Sequence, residues 1–254
     1  MENPDTLYIT KREDKKPVPK HLPILYGHHL CPFVERVRIV LAYHGIPYQS
    51  LEMDLTKRPR WYRAMNPTRK VPTYEFADGR IVYESDILIE MLDSLAIKAG
   101  SKKPPLFPTD PVARAQMKIK IQKYTSFIGK FYKVIYRLME MEDLQGDIED
   151  IMKVAEDDLQ KSGALFLNGS DRMTALDVLV YPHMIRNLWM KDSVYSSVYK
   201  TLNGDRFKFI HAYCNRIYND PLLKPILTIK SGYLHQMEDF KTNGRMALKL
   251  PVKL

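Results

Sequence analysis

The stretch Ile24-Leu25-Tyr26-Gly27-His28-His29-Leu30-Cys31-Pro32-Phe33-Val34 joins a short apolar run to an amphipathic segment that continues to Tyr43. Ile24 to Tyr26 reads as a strand and Val34 to Tyr43 as a helix. Pro32 suits the first helical position, where its missing N–H has no intrahelical partner and its fixed φ is already helical. The helix therefore starts at Cys31, which sets a thiol against the first-turn amides and the positive end of the helix dipole. Both favour an anion, so the thiolate of Cys31 is expected to be favoured. Cys31 is thus a candidate nucleophile, and the plainer alternative is a small buried cysteine. Position 34 is Val, so Cys31 cannot close a local disulfide and needs an external thiol. The other cysteine, Cys214, sits on one side of a predicted helix around Phe209 to Asn215 and reads as core packing.

Outward from this stretch, the pattern divides the chain. Residues 1 to 21 are polar, with Pro4, Pro17 and Pro19, and are expected to be an extension without core elements. Gly45-Ile46-Pro47 breaks the first helix before a second strand, Tyr48 to Met53, so the unit is βαβ. A brief helical turn over Arg60 to Met65 precedes Asn66-Pro67. Val71 to Phe76 and Arg80 to Tyr83 flank Asp78-Gly79, a hairpin turn signal. A helix with Ser85 as N-cap follows through Ile87, Leu88, Met91, Leu92 and Leu95. The order over residues 22–97 is that of a thioredoxin-like domain, in which Pro72 stands where such domains place a cis proline. An ordinary trans turn is the alternative.

Residues 98–110 carry Pro104, Pro105, Pro108 and Gly100 and read as a linker, and residues 111–254 read as all-α. One long helix is expected over 111–139, with a stripe of Met117, Ile121, Tyr124, Ile128, Phe131, Ile135 and Leu138 and wet lysines off it. Further helices are expected around 148–161, 193–200, 206–218 and 230–241. Thr174-Ala175-Leu176-Asp177 has capping-box form and should start a buried helix.

Charge and composition exclude several classes. The net charge of +9 is uneven: residues 98–137 hold ten Lys or Arg against Asp110, and residues 140–158 hold nine acids against Lys153. That is a dipolar surface with no nucleic-acid reading element. Two cysteines make no disulfide framework, no apolar run suits a signal peptide or membrane span, and no metal site is read. The chain is expected to be cytoplasmic and reduced.

Several ordered motifs now stand together: Cys31-Pro32-Phe33-Val34-Glu35-Arg36; Leu55 with Arg58-Pro59-Arg60-Trp61; Asn66-Pro67 before Lys70-Val71-Pro72; and Tyr83-Glu84-Ser85. With them, over roughly residues 20 to 240, the chain resembles the cytosolic glutathione transferases, and within them the omega class. The extension, a cysteine where relatives use Tyr or Ser, and the Thr174 box agree. The resemblance implies an α/β N-terminal thioredoxin-like domain (βαβαββα) plus an all-α C-terminal domain. It implies that Cys31 forms mixed disulfides with glutathione, Phe33 lines the site, and the Val71 backbone beside Pro72 pairs with the cysteinyl part of the tripeptide. Glu84 would receive the γ-glutamyl ammonium and Ser85 its carboxylate. Arg58 would face the glycyl carboxylate, where the family usually has lysine, with Leu55 beside it. Tyr181, His183, Trp189, Tyr233 and Phe240 are candidates for a second-substrate pocket, expected between the domains. His183 stands where a tryptophan is common. A histidinium at His28 or His29 would assist the thiolate, or both are plain turn residues.

Functionally, the resemblance implies a glutathione-dependent thioltransferase and dehydroascorbate reductase, with glutathione as substrate and reductant, acting as a homodimer. Relatives also reduce methylated arsenicals or make a pyrimidodiazepine precursor. The alternative is a non-catalytic interaction or membrane-associating protein resembling the chloride intracellular channel proteins. A tyrosine-type transferase using Tyr26 is a third reading.

Overall fold

A computed structural model describes residues 6–19, 21–135, 138–197, 199–202, 204–244 and 250. Contacts divide the chain into two units, one running to Lys103 and including Pro225–Thr228, the other formed by Pro104–Lys224 and the segment from Ile229. That limit falls inside the stretch read as a linker.

In the first unit, β1 (Leu7–Ile9), β2 (Ile24–Gly27), β3 (Gln49–Met53), β4 (Thr73–Glu75) and β5 (Ile81–Tyr83) form one sheet in the order β1-β3-β2-β4-β5. The first three strands are mutually parallel; β4 runs antiparallel to β2, and β5 antiparallel to β4. Helices α1 (Pro32–His44), α2 (Arg60–Met65) and α3 (Ser85–Lys98) complete the unit, and α1 packs on α3. Val34, Val37, Ile39, Val40 and Leu41 give α1 its buried side. Gly27 lets the helix sit down on the strand end, because a Cβ there would lie 2.5 Å from Cγ1 of Val34. At the far end of α1, His44 bridges Asp93 of α3 (2.8 Å) and Ser101 (2.9 Å).

The segment read as an extension carries a sheet element among its described residues. Leu7–Ile9 adds an edge strand, Leu7 opposite Leu51 and Ile9 opposite Met53, and the Asp54 N–H donates to the Ile9 carbonyl at 2.8 Å. Three residues are too few to show a period, and a ladder of backbone bonds needs no side-chain pattern. Lys16 continues the attachment at 2.7 Å from Glu75, whose other oxygen accepts the Tyr26 hydroxyl at 2.6 Å. The hairpin falls at Gly79, which has a φ of 86°. Ser85 is the first residue of α3 and not its cap; Glu84 holds the cap position.

The second unit is helical: α4 (Pro111–Thr125), α5 (Ile128–Ile135), α6 (Met141–Ser162), α7 (Ala175–Met190), α8 (Lys208–Tyr218) and α9 (Lys230–Asn243). The single helix expected over 111–139 is two. Thr125 Oγ1 takes the Ile121 carbonyl and Ser126 Oγ that of Lys123, back-bonds that compete with the helix ladder. The break turns Phe127 and Val134 inward and leaves Leu138 75% exposed, off the expected stripe. Arg137 lies outside the described residues. The expected helix at 193–200 is a series of turns, with Ser193 Oγ bound to the Met190 carbonyl; Val198 is outside the described residues. The capping box is present: Asp177 accepts the Thr174 N–H at 2.8 Å and its hydroxyl at 2.9 Å, and it starts the fully buried α7. Among the described residues, no helix is long and apolar enough to cross a membrane.

Candidate active site

Strand register gathers the sequence-predicted residues. Tyr26 of β2 lies opposite Leu51 of β3 and Thr73 of β4, and Thr73 lies opposite Tyr83 of β5. Given the strand directions, β2 and β3 end, β4 begins and β5 ends at the same edge of the sheet. Cys31 and Phe33 follow β2; Leu55 and Arg58 follow β3; Val71 and Pro72 precede β4; Glu84 and Ser85 follow β5. Four separate segments therefore leave the sheet at one edge, all at strand ends where a parallel sheet commonly places its ligand site.

Cys31 is the N-cap of α1. Its N–H donates to the His28 carbonyl at 2.9 Å, its carbonyl accepts the Glu35 N–H at 3.0 Å, and its side chain makes no cap bond. The sulfur is thus not spent on helix capping. Arg36, one turn on, stacks its guanidinium 4.8 Å from the Phe33 ring centroid and donates from Nη1 to Ser85 Oγ at 3.2 Å. One buried arginine links Phe33 and Ser85. Glu84 has a φ of 71°, a left-handed conformation that a glutamate adopts only when its surroundings impose it.

The Val71–Pro72 bond is cis. The flanking residues are clamped by α2: the Tyr62 hydroxyl lies 2.7 Å from the Lys70 carbonyl and 2.9 Å from Thr73 Oγ1, and Asn66 Nδ2 donates to the same two atoms at 3.0 and 2.9 Å. Leu55 and Arg58 are half-buried in the turn that Asp54 ties by accepting from the Thr56 N–H and hydroxyl.

Beneath the cysteine lies a buried ion pair, Arg38 with Glu52, with His29 Nδ1 3.8 Å from the second carboxylate oxygen. Burial alone would raise the Glu52 carboxyl, but the Arg38 cation and His29 prevail and hold it at about 2. The Arg38 guanidinium, whose charge burial opposes and Glu52 sustains, also feels the charge of an anionic Cys31. His28 Nδ1 accepts the Leu30 N–H at 3.2 Å, a bond within the turn that leads to Cys31. Thr228 Oγ1 sits 2.7 Å from Glu35 Oε2 and 2.9 Å from the His29 carbonyl, bridging both sides of the Cys31 turn with one hydroxyl. Among the described residues, no group of three or more His, Cys, Asp or Glu is placed to hold a metal.

The second-substrate candidates lie in the helical unit and are buried. Tyr181 is wholly covered. His183 meets Phe127 edge-on at 6.4 Å; Tyr233 packs at 5.8 Å from Trp189 and directs its hydroxyl to the Met190 sulfur; Phe240 lies 6.4 Å from Tyr195.

Residues 25–99 match the family model described as glutathione S-transferase, N-terminal domain. The chain is 31% identical over 169 residues to glutathione S-transferase omega-1 of Sus scrofa, covering 65% of this chain and 67% of the relative. The chain belongs to the omega class of glutathione transferases. It is equally 31% identical, over 164 residues, to the pyrimidodiazepine synthase of Drosophila melanogaster, and there the match spans 62% of each chain, less than two thirds of the relative's length. Among solved structures, the fold resembles glutathione transferase Omega 1C of Trametes versicolor, with a TM-score of 0.67 at 20% identity over 86% of this chain and 98% of that one. It also resembles the trimeric glutathione transferase TDR1 of Leishmania, with a TM-score of 0.72 at 22% identity over 86% of this chain and 48% of that one. At such identities these likenesses establish the fold alone.

In this omega-class chain, sequence reasoning missed Tyr62, Asn66, Arg36 and Thr228 as builders of the site. Asn66 was read as punctuation and as part of a motif, and its bonds to Lys70 and Thr73 were not foreseen. Thr228 left no signal, because its partners are some 200 positions away.

Proposed function

We propose that this omega-class chain is a glutathione-dependent thiol oxidoreductase, a thioltransferase and dehydroascorbate reductase working through a mixed disulfide on Cys31. The observation that carries the reading is a cysteine at the start of α1, with Val34 in place of a resolving cysteine, at the sheet edge shared with Val71, Glu84 and Ser85. The Cys31 thiolate attacks the glutathionyl sulfur of a substrate R–S–SG; the Cys31–SG bond forms and R–S⁻ leaves. A second glutathione thiolate then attacks that sulfur, forming glutathione disulfide and returning the Cys31 thiolate. With dehydroascorbate, two glutathiones supply the two electrons and two protons that give ascorbate and glutathione disulfide.

Glutathione is held by Glu84 on its ammonium, Ser85 on its γ-glutamyl carboxylate, the Val71 backbone beside Pro72 on its cysteinyl part, and Arg58 with Leu55 at its glycyl end. Phe33 lines the thiol. Tyr181, His183, Tyr233 and Phe240 contribute to second-substrate recognition. The enzyme works as a homodimer in the reducing cytoplasm. Protein treated with oxidised glutathione should gain one glutathionyl mass on the peptide bearing Cys31. An adduct confined to Cys214, or none, would overturn the reading.

A further inference from the structure

A cleft of about 1170 Å³ opens in the first unit between residues 12–16, ahead of β2, and the segment from Leu55 to Arg69 that carries α2. Its walls hold seven cationic and two acidic side chains among fourteen residues. Lys16 is already neutralised by Glu75, and the Asp14 carboxylate is engaged by the N–H groups of Thr10 and Lys11. Six further cations, Arg12, Lys15, Arg58, Arg60, Arg63 and Arg69, line the cleft with the carboxylates of Glu13 and Asp14. Among the described residues, Arg12, Lys15, Arg60, Arg63 and Arg69 form no ion pair, although this chain pairs cations elsewhere, as at Lys130 with Asp147 and Lys230 with Asp192.

Holding like charges around a concavity costs free energy that a bound anion returns. Two further features fit that purpose. Arg60 and Arg63 stand three apart on α2, where like charges repel. Arg69 has a φ of 58°, a left-handed conformation that asparagine or glycine takes far more readily. Five of the six cations are arginines, whose planar fork matches phosphoryl oxygens two at a time. Trp61 and Pro59 add an apolar side to the cleft. Trp61 is in turn fixed by its Nε1 bond to the Asp14 carbonyl at 2.7 Å, which joins the two walls.

We propose that this cleft, which shares Leu55 and Arg58 with the glycyl end of the proposed glutathione site, binds a small molecule carrying several phosphoryl groups away from the Cys31 thiol. Linked phosphoryl groups suit the spread of cations along two walls, which a single phosphate engages only in part.

The test is calorimetric titration of the full chain with sodium tripolyphosphate, with inorganic phosphate as the single-group control. One tripolyphosphate per chain is expected, more than tenfold tighter than phosphate, weakening roughly tenfold or more between about 50 and 300 mM NaCl as screening sets in. The double variant Arg63→Gln with Arg69→Asn removes two cations without reversing charge, and it should weaken tripolyphosphate roughly tenfold while retaining the wild-type melting temperature. Cys31→Ala should bind the probe as wild type does, which separates this site from the thiol chemistry. Trp61 fluorescence reports the same event where the heat is small. Absence of saturable binding at one per chain, or equal affinity in the well-folded double variant, overturns the proposal.

Discussion

Cys31 and Cys214 are 5% and 0% exposed, so burial scarcely distinguishes the two thiols. Their surroundings do. Cys214 lies inside α8 in a wholly buried setting that pushes its thiol well up. Cys31 holds the N-cap position of a helix and lies within electrostatic reach of the buried Arg38. Thiol chemistry follows what surrounds the sulfur, and water exposure is a poor guide to it.

Substitution of each cysteine breaks the comparison most directly. Cys31→Ala is expected to lower mixed-disulfide and dehydroascorbate reduction on the order of 10³-fold or more, while weak conjugation of bound glutathione survives, since conjugation needs no sulfur on the protein. Cys214→Ala should leave those rates unchanged and cost about 1–2 kcal/mol of stability through the lost core volume. Iodoacetamide should alkylate Cys31 in the native chain and Cys214 only after unfolding. Reductase assays with both variants check the pair; loss of activity in Cys214→Ala alone would reverse the assignment.

The ion pair beneath Cys31 sets the next effect. Glu52 is held at about 2, below its ordinary value of 4.5, so its contribution to stability is complete above that ordinary value and is lost as pH falls from it toward 2. The loss is about 3 kcal/mol across that window. Glu52→Gln should flatten the acid limb of a denaturant-midpoint curve against pH. A variant curve as steep as wild type would remove the pair from that role.

Legibility differed between local devices and long-range arrangements. Cys31-Pro32 and Thr174–Asp177 were readable because each is a local device: a proline fits a helix start, and a capping box closes on itself over four residues. Val71-Pro72 and Glu84-Ser85 were readable only through their order along the chain; the register that brings them to one sheet edge is a long-range fact. Leu7–Ile9 escaped because a parallel edge strand is held by backbone bonds, and the split of 111–139 escaped because two hydroxyl back-bonds outweighed an otherwise continuous helical pattern. Arg36 sat in the quoted motif, yet its bond to Ser85 spans 49 positions.

Glutathione binding gives a smaller effect. In the proposed site Glu84 and Ser85 would meet the remote γ-glutamyl end, with contacts alike in ground and transition states, so Glu84→Ala and Ser85→Ala should raise KM for glutathione about tenfold with kcat nearly constant. Ser85→Ala also takes an acceptor from Arg36, so its KM change should be partly restored by Ser85→Thr. A large kcat loss at constant KM in Glu84→Ala would place that residue nearer the reacting sulfur than the proposed role on the ammonium implies.

Thr228 gives the smallest effect and sharpens the comparison between the thiols, because its bridge acts at the Cys31 turn. Its hydroxyl ties Glu35, in the first turn of α1, to the His29 carbonyl just before Cys31. Thr228→Val keeps the shape and deletes the bridge, and it should cost about 1 kcal/mol in urea denaturation. If the bridge positions the turn, kcat for mixed-disulfide reduction falls a few-fold at unchanged KM for glutathione, and Thr228→Ser, which keeps the hydroxyl, restores it. A stability loss without any kcat change would make Thr228 a strut for the fold alone, leaving the helix start and Arg38 to account for the difference between Cys31 and Cys214.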